Sequence, residues 1–189
     1  MRSIIYIHGY RSSIKTKKVL ELQKYFPDYN VCGQNYDYDR ESPKNIINDV
    51  IKFSLKLLNS DEDQIFLVGS SIGGFIALNV LKKINAKAVL INPSLFPQIN
   101  LLKRNNKFAE EYAKLAAKLN PSANRNVLCL ISDNDTVVDA KRLTQFNFKK
   151  ISVPNSEHQM NNFSDAFDDI KSYFETASLV EEYGLFLDE

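Results

Sequence analysis

The stretch Ile65-Phe66-Leu67-Val68-Gly69-Ser70-Ser71-Ile72-Gly73-Gly74 constrains the fold more than any other part of the chain. Its first four residues form an apolar run with the length of a buried strand, too short for a helix. A pentapeptide of the form G-x-S-x-G follows, with Ser71 at its centre. Ile72, Phe75, Ile76, Val80 and Leu81 then predict a helix to about Ile84. Strand, tight turn and helix is the setting in which a serine is lifted clear of a sheet. A turn that sharp strains the serine's backbone and demands small residues two positions away on each side, a demand met by Gly69 and Gly73. It also puts the Ile72 amide at a helix N-terminus, where N–H groups favour negative charge. The pentapeptide alone is also compatible with a plain Gly-rich connection between strand and helix, so the rest of the chain decides.

Apolar strands alternate with helical patterns along the sequence. Ser3–Ile7 predicts a strand, and Lys15–Phe26 a helix closed by Pro27. Tyr29–Cys32 predicts a weaker strand. Ser42-Pro43 reads as an N-cap and first helical residue, with Ile46, Val50, Phe53 and Leu57 at helical spacing behind it. Strands are predicted at Lys87–Asn92, Asn126–Ile131 and Phe148–Val153, with a helix capped by Asp139 between the last two and a final helix over Ser164–Phe174. The tail Ala177–Glu189 mixes apolar and acidic residues. The alternation implies an α/β fold with a mostly parallel sheet of about six strands and helices on both faces. One domain over residues 1–189 is expected, with residues 94–125 as its one long interruption and a small cap.

Balanced charge, 24 Lys and Arg against 23 Asp and Glu, gives no global field toward nucleic acid or an anionic surface. No apolar run approaches the roughly 20 residues of a membrane span, and none has the form of a signal peptide, so a cytoplasmic location is expected. Cys32 and Cys129 are far apart and form no CxxC pair, so both are expected to be reduced thiols in the core. Two histidines and two separate cysteines offer too few ligands for a zinc site, and no Lys-Ser/Thr follows the glycines as in a P-loop. No metal or cofactor is expected. Oligomeric state is left open.

In a parallel sheet, ligands bind beyond the carboxyl ends of the strands. His8, Ser71, Asn92, Asp135 and His158 all follow predicted strands and should gather at one edge. A serine hydroxyl needs a base within reach to act as a nucleophile. Of the two histidines, His158 lies in the loop after the last strand, while His8-Gly9 reads as a structural turn. The imidazole in turn needs a carboxylate. The turn after Asn126–Ile131 offers Asp133, Asp135 and Asp139; Asp139 suits a cap, and Asp135 lies deeper in the turn than Asp133. The order Ser71, Asp135, His158 is that of the α/β hydrolases. Acyl transfer also needs oxyanion donors, for which the Ile72 amide and the Tyr10 amide are the candidates. Tyr10, Phe96, Phe108 and Tyr112 are the candidate lining of a shallow pocket. Lys15, Lys17 and Lys18 read as a solvated helix start.

Five segments resemble the small YqiA/YcfP-like esterases (UPF0227), a bacterial branch of the α/β hydrolases. Ile7-His8-Gly9-Tyr10-Arg11-Ser12-Ser13 resembles their H-G-[FY]-x-S-S opening, and Gly69-Ser70-Ser71-Ile72-Gly73-Gly74 their G-S-S-[LI]-G-G. Asn92-Pro93-Ser94-Leu95-Phe96-Pro97 resembles N-P-A-x-x-P, and Asp135-Thr136-Val137-Val138-Asp139 resembles D-x-V-[LV]-D. His158 falls where the family carries its base. The resemblance spans about Ile4 to Phe174. It implies a compact α/β-hydrolase fold, a triad of Ser71, Asp135 and His158, and hydrolysis of small-molecule carboxylic esters or acyl thioesters without a cofactor. Two positions depart from the pattern: Ser156-Glu157 precede His158 where small residues are usual, and Asn134 precedes Asp135 where Gly is usual. The alternatives are a hydrolase-like protein that binds a partner without turnover, and an acyltransferase.

Overall fold

The computed structural model describes residues 1–120 and 126–176. Six strands, β1 (Arg2–Ile7), β2 (Asn30–Gly33), β3 (Gln64–Ser70), β4 (Lys87–Ile91), β5 (Val127–Ser132) and β6 (Lys149–Val153), pair in the order β2-β1-β3-β4-β5-β6. Every pairing is parallel. Parallel strands require crossover connections, and these are supplied by α1 (Lys17–Tyr25), α2 (Pro43–Lys56), α3 (Ile72–Val80), α4 (Gln98–Leu102) and α5 (Ala109–Ala116). After β6, a 3-10 turn at Phe163–Ala166 leads into α6 (Phe167–Glu175). The mixed apolar and acidic tail, residues 177–189, lies outside the described residues.

Side chains alternate across the sheet and build two cores. Ile5, Ile7, Leu67 and Leu90 face α2, α3 and α5. Ile4, Tyr6, Val68, Val89 and Leu130 face α1 and α6, with Phe26, Phe163 and Phe174 filling between. Both faces are covered, which is why the strands read as continuous apolar runs. Ser42 accepts a hydrogen bond from the Asn45 amide (3.3 Å) with Pro43 behind it, as the Ser-Pro pair predicts. Asp139 also caps, accepting from the Lys141 amide at 3.0 Å, but what it caps is a single 3-10 turn, Ala140–Leu143. The connection from Asp133 to Phe148 is spent largely on the acid turn, and this 3-10 turn is its one helical piece. The final helix likewise begins as a 3-10 turn, so its α-helical part starts at Phe167.

The chain steps from β1 outward to β2, then crosses back to lay β3 on β1's other side. The sheet order therefore reverses between β1 and β3, and a crevice opens at their carboxyl ends. Helix α3 starts there and is buried along its whole length. Its close approach to β1 rests on Gly73, where a Cβ would stand 2.1 Å from the Ile7 carbonyl oxygen and 2.8 Å from that of His8. Those are backbone atoms of a central strand and cannot step aside. Gly73→Ala is expected to cost upwards of about 3 kcal/mol. In a chain of this size that lowers Tm by about 6–12 °C. Thermal unfolding followed by circular dichroism checks this, and an unchanged Tm would mean that α3 and β1 separate freely.

Candidate active site

Ser71 joins β3 to α3 with φ 54° and ψ −119°, a region that L-residues avoid. The surroundings hold it there. Its amide donates to the Ile91 carbonyl (2.9 Å), and its carbonyl accepts from the Gly74 and Ser94 amides, both at 3.0 Å. The turn brings Gly69 against the Gly73 carbonyl, 2.5 Å from where a Cβ would lie, so both glycines are required by contact and neither by a positive φ. The result is a hydroxyl standing clear of the sheet beside the loop after β1. Gly9 of that loop runs alongside, its Cβ position 3.4 Å from the Ser71 Cβ.

The base loop after β6 brings His158 Nε2 within 3.1 Å of Ser71 Oγ, and His158 Nδ1 within 2.8 Å of Asp135 Oδ2. A carboxylate only accepts, so the Nδ1 proton belongs to that bond and Nε2 presents a lone pair to the serine. Asp135's side chain is 4 % exposed and that of His158 19 %, so the carboxylate is sealed behind an imidazole that a ligand can still reach. The other carboxylate oxygen accepts from the Val137 amide (2.7 Å) and the Val138 amide (3.0 Å). Burial pushes the Asp135 pKa up, but the bonds from His158, Val138 and Val137 outweigh it and leave the group below its ordinary value. Asp135 is therefore both a turn residue and the partner of the histidine. Asn134, the departure before it, has no positive φ, so glycine's freedom is not needed at that position.

Asp133 does more than shape the start of the turn. Its Oδ2 accepts from the Asn155 amide and its Oδ1 from the Ser156 amide, both at 3.0 Å, tying the acid loop to the loop that carries His158. These bonds hold its pKa below the ordinary carboxylate value. A folded-state pKa lowered in this way stabilises fully above the unfolded value, about 3.9, and is lost as pH falls through the folded one. Asp133→Asn should therefore lower Tm at neutral pH, with the gap to the wild type closing as pH falls below about 4. Melting both proteins from pH 7 downward tests this; a gap independent of pH would remove the charge from the account.

Beneath the site runs a buried polar network that the sequence did not reveal. Asn92, at φ 43° just past β4, donates through Nδ2 to Ser132 Oγ (2.7 Å) and to the carbonyls of Glu157 (3.2 Å) and His158 (3.1 Å). Ser132 Oγ also meets Ser156 Oγ at 3.0 Å and the Glu157 carbonyl at 2.7 Å. Three short polar side chains, each from a different element, fix the backbone on which His158 turns. Ser156 is small and buried, which meets the demand for compactness before the base, while Glu157 is exposed. The second histidine, His8, is fully buried. Its Nε2 accepts from the Tyr36 amide (2.9 Å), while Nδ1 bonds the Gly9 carbonyl (2.8 Å). Burial lowers its pKa, against an opposing pull from that carbonyl, so the ring is a neutral strut.

A cavity of about 370 Å³ contains Ser71 and His158. Of the candidate lining residues Tyr10 borders it, as does Ile72, while Phe108 and Tyr112 do not. Tyr112 is fully buried and packs on Phe75 with ring centroids 5.5 Å apart. Helical spacing located the apolar face of α5, but that face packs into the core. Phe96 lines a smaller neighbouring cavity of about 160 Å³ with Pro93, Val138 and Leu143. The wall of the main cavity instead includes Thr16, Lys17, Lys18, Asn100 and Arg104. Lys17 and Lys18 are thus not simply a solvated helix start: their ammonium groups reach the Asn161 carbonyl (3.2 Å) and the Gln159 carbonyl, beside His158. Among the described residues no cluster of His, Cys, Asp and Glu could hold a metal ion, and no helix is long and apolar enough to cross a membrane.

Comparison with known proteins agrees with this architecture. UPF0227 protein YcfP of Escherichia coli (strain HS) is 28% identical over 180 residues, covering 90% of this chain and 97% of that protein. Among solved structures, Est1E from Butyrivibrio proteoclasticus with ferulic acid bound superposes with a TM-score of 0.72 at 14% identity, covering 92% of this chain and 88% of that one. Mouse alpha/beta hydrolase domain-containing protein 10 gives 0.66 at 18% identity, covering 96% and 90%. At such identities the likeness establishes a shared fold, the α/β-hydrolase fold. The description Uncharacterised protein family (UPF0227) matches residues 3–175, nearly the whole chain, and the protein belongs to that family.

Proposed function

We propose that the protein is a serine hydrolase that cleaves carboxylic esters or acyl thioesters. The observation that carries this reading is the hydrogen-bonded chain from Ser71 Oγ through His158 to Asp135, with Ser71 on a strained turn at the N-terminus of α3. In this mechanism Ser71 Oγ bonds to the substrate's carbonyl carbon while its proton passes to His158 Nε2 and the carbonyl electron pair moves onto oxygen. The oxyanion is received by the Ile72 amide, which as the first helical residue has no intrahelical acceptor, and by the Tyr10 amide. Among the described residues neither amide is taken by a loop hydrogen bond. Collapse expels the alkoxide or thiolate, which takes the proton from His158 and leaves an acyl-enzyme. Water then gives a proton to His158 as it attacks, Ser71 regains the proton, and the carboxylic acid departs. Asp135 balances the imidazolium formed in both halves. Within the 94–125 interruption, the described residues Asn100, Leu101 and Arg104 close one side of the cavity as a small cap.

That Est1E is described with ferulic acid bound fits a small acyl ligand in this crevice. The test is a chromogenic ester panel with the purified protein, combined with a fluorophosphonate probe and mass spectrometry of the labelled peptide. Turnover with the label on Ser71 is the expected result. A folded protein that neither hydrolyses nor labels would favour the partner-binding alternative, and transfer of the acyl group to added alcohols in preference to water would favour an acyltransferase.

A further inference from the structure

Resting on the hydrolase reading, we propose that the part of the cavity lined by the start of α1 and by Arg104 is a subsite for an anionic group of the substrate, a carboxylate or a phosphate. Three cations, Lys17, Lys18 and Arg104, line this cavity, and no aspartate or glutamate does. The chain as a whole carries nearly equal numbers of the two signs, so the imbalance is local. Lys17 has a carboxylate partner, Glu21, at 3.2 Å. No carboxylate among the described residues lies within ion-pair distance of Lys18 or Arg104.

The local backbone adds donors of its own. Thr16 occupies the N-cap of α1 but its side chain makes no capping bond, and the amides of Lys17 and Lys18, first in the helix, have no intrahelical acceptor. The Thr16 hydroxyl is shielded from solvent and lies against the Tyr6 hydroxyl, and both residues line the cavity. A buried hydroxyl, two free helix amides and an ammonium beside one cavity form a donor set that an anion satisfies and an aliphatic chain does not. Lys18 already donates to the Gln159 carbonyl and Arg104 lies over the Tyr10 ring, 5.2 Å from its centroid, but a neutral acyl chain covering them would strip both of water and supply no opposite charge. The chemistry favours a compact substrate with a negative group set away from the scissile carbonyl, in the acyl part (a dicarboxylic half-ester) or in the leaving group (a phosphorylated thiol).

The experiment compares kcat/KM within matched pairs. One pair is 4-nitrophenyl pentanoate against the mono-4-nitrophenyl ester of glutaric acid. The other is S-acetyl-N-acetylcysteamine against S-acetyl-phosphopantetheine. The wild type should favour the charged member of at least one pair by about tenfold, the scale of one charge-assisted contact. The pair showing the preference identifies the source of the anion. In Lys18→Gln and Arg104→Gln that ratio should fall toward one. No preference in the wild type overturns the proposal. So does an equal loss on both members in the variants, which would make Lys18 only a clamp on the base loop through Gln159. Binding is read separately by titrating sodium glutarate and sodium phosphate into Ser71→Ala protein and following the Lys17 and Lys18 amides by NMR. Saturable shifts together with a wild type that turns over no ester would keep the anion site and remove the hydrolase reading; wild-type turnover with no preference and no shift would do the reverse.

Discussion

Ser71→Ala is expected to lower kcat for ester hydrolysis by up to about 10⁶-fold, to the level left by binding and oxyanion contacts alone. The loss is large because the hydroxyl is the only group on the turn that can form the acyl-enzyme, and Ser70 belongs to the end of β3. The fold should be untouched: Ser71 Oγ makes one hydrogen bond, to His158, and alanine keeps the same Cβ at the same strained φ. Ser71→Gly should be just as inactive yet more stable. Removing the Cβ releases strain of about 1–3 kcal/mol, less the roughly 0.5–1 kcal/mol that glycine costs through the unfolded chain. A net gain near 1 kcal/mol raises Tm by about 2–4 °C. The pair of variants thus separates chemistry from folding, since both lose turnover while their stabilities diverge. Turnover that survives in both would remove Ser71 from the mechanism, and a drop in Tm for Ser71→Gly would mean that the backbone at this turn is not strained.

The elbow was legible because its information is local. A strand, five residues and a helix start fix the conformation of Ser71, and the small residues that permit it are its near neighbours in sequence. The alternation of strands and helices likewise announced a parallel sheet, because apolar runs of strand length occur only where both faces are covered. His158 stood out by scarcity, being one of two histidines and the one placed after the last strand. The cavity was not legible in this way. Its wall draws on the loop after β1, the start of α1, α4 and the base loop, and nothing local in Lys17 or Lys18 says that α1 begins against residues some 140 positions later. The apolar spacing of Phe108 and Tyr112 marked a buried face without saying what buries it. Asn92, Ser132 and Ser156 are ordinary polar residues until the fold closes them into one network.

The sharpest distinction in the site is between two aspartates separated by one residue, and Asp135→Asn exposes it. One oxygen of the Asp135 side chain accepts from the Val137 and Val138 amides, the other from His158 Nδ1. In the asparagine variant only one atom can still accept from those amides, so the carbonyl oxygen must take that side. The NH₂ is then turned toward His158, where it donates to Nδ1. This moves the imidazole proton to Nε2, facing Ser71, and a ring with its proton there cannot accept the serine's. The negative charge that balanced the imidazolium is lost as well. A fall in kcat of about four orders of magnitude is expected, with little change in stability, since the turn bonds persist. Asp133→Asn should behave in the opposite sense. Both of its oxygens accept amides of the base loop, so an NH₂ there must face an N–H, and the cost appears in Tm and in the position of the loop more than in the chemistry. Measuring kcat on one ester and Tm for both variants gives a crossed pattern if the roles are as described. An inactive Asp133→Asn beside a nearly normal Asp135→Asn would transfer the role of the carboxylate to Asp133. Full activity in both would mean that His158 keeps its tautomer without either, and the Nδ1–Asp135 bond would then be a feature of folding alone.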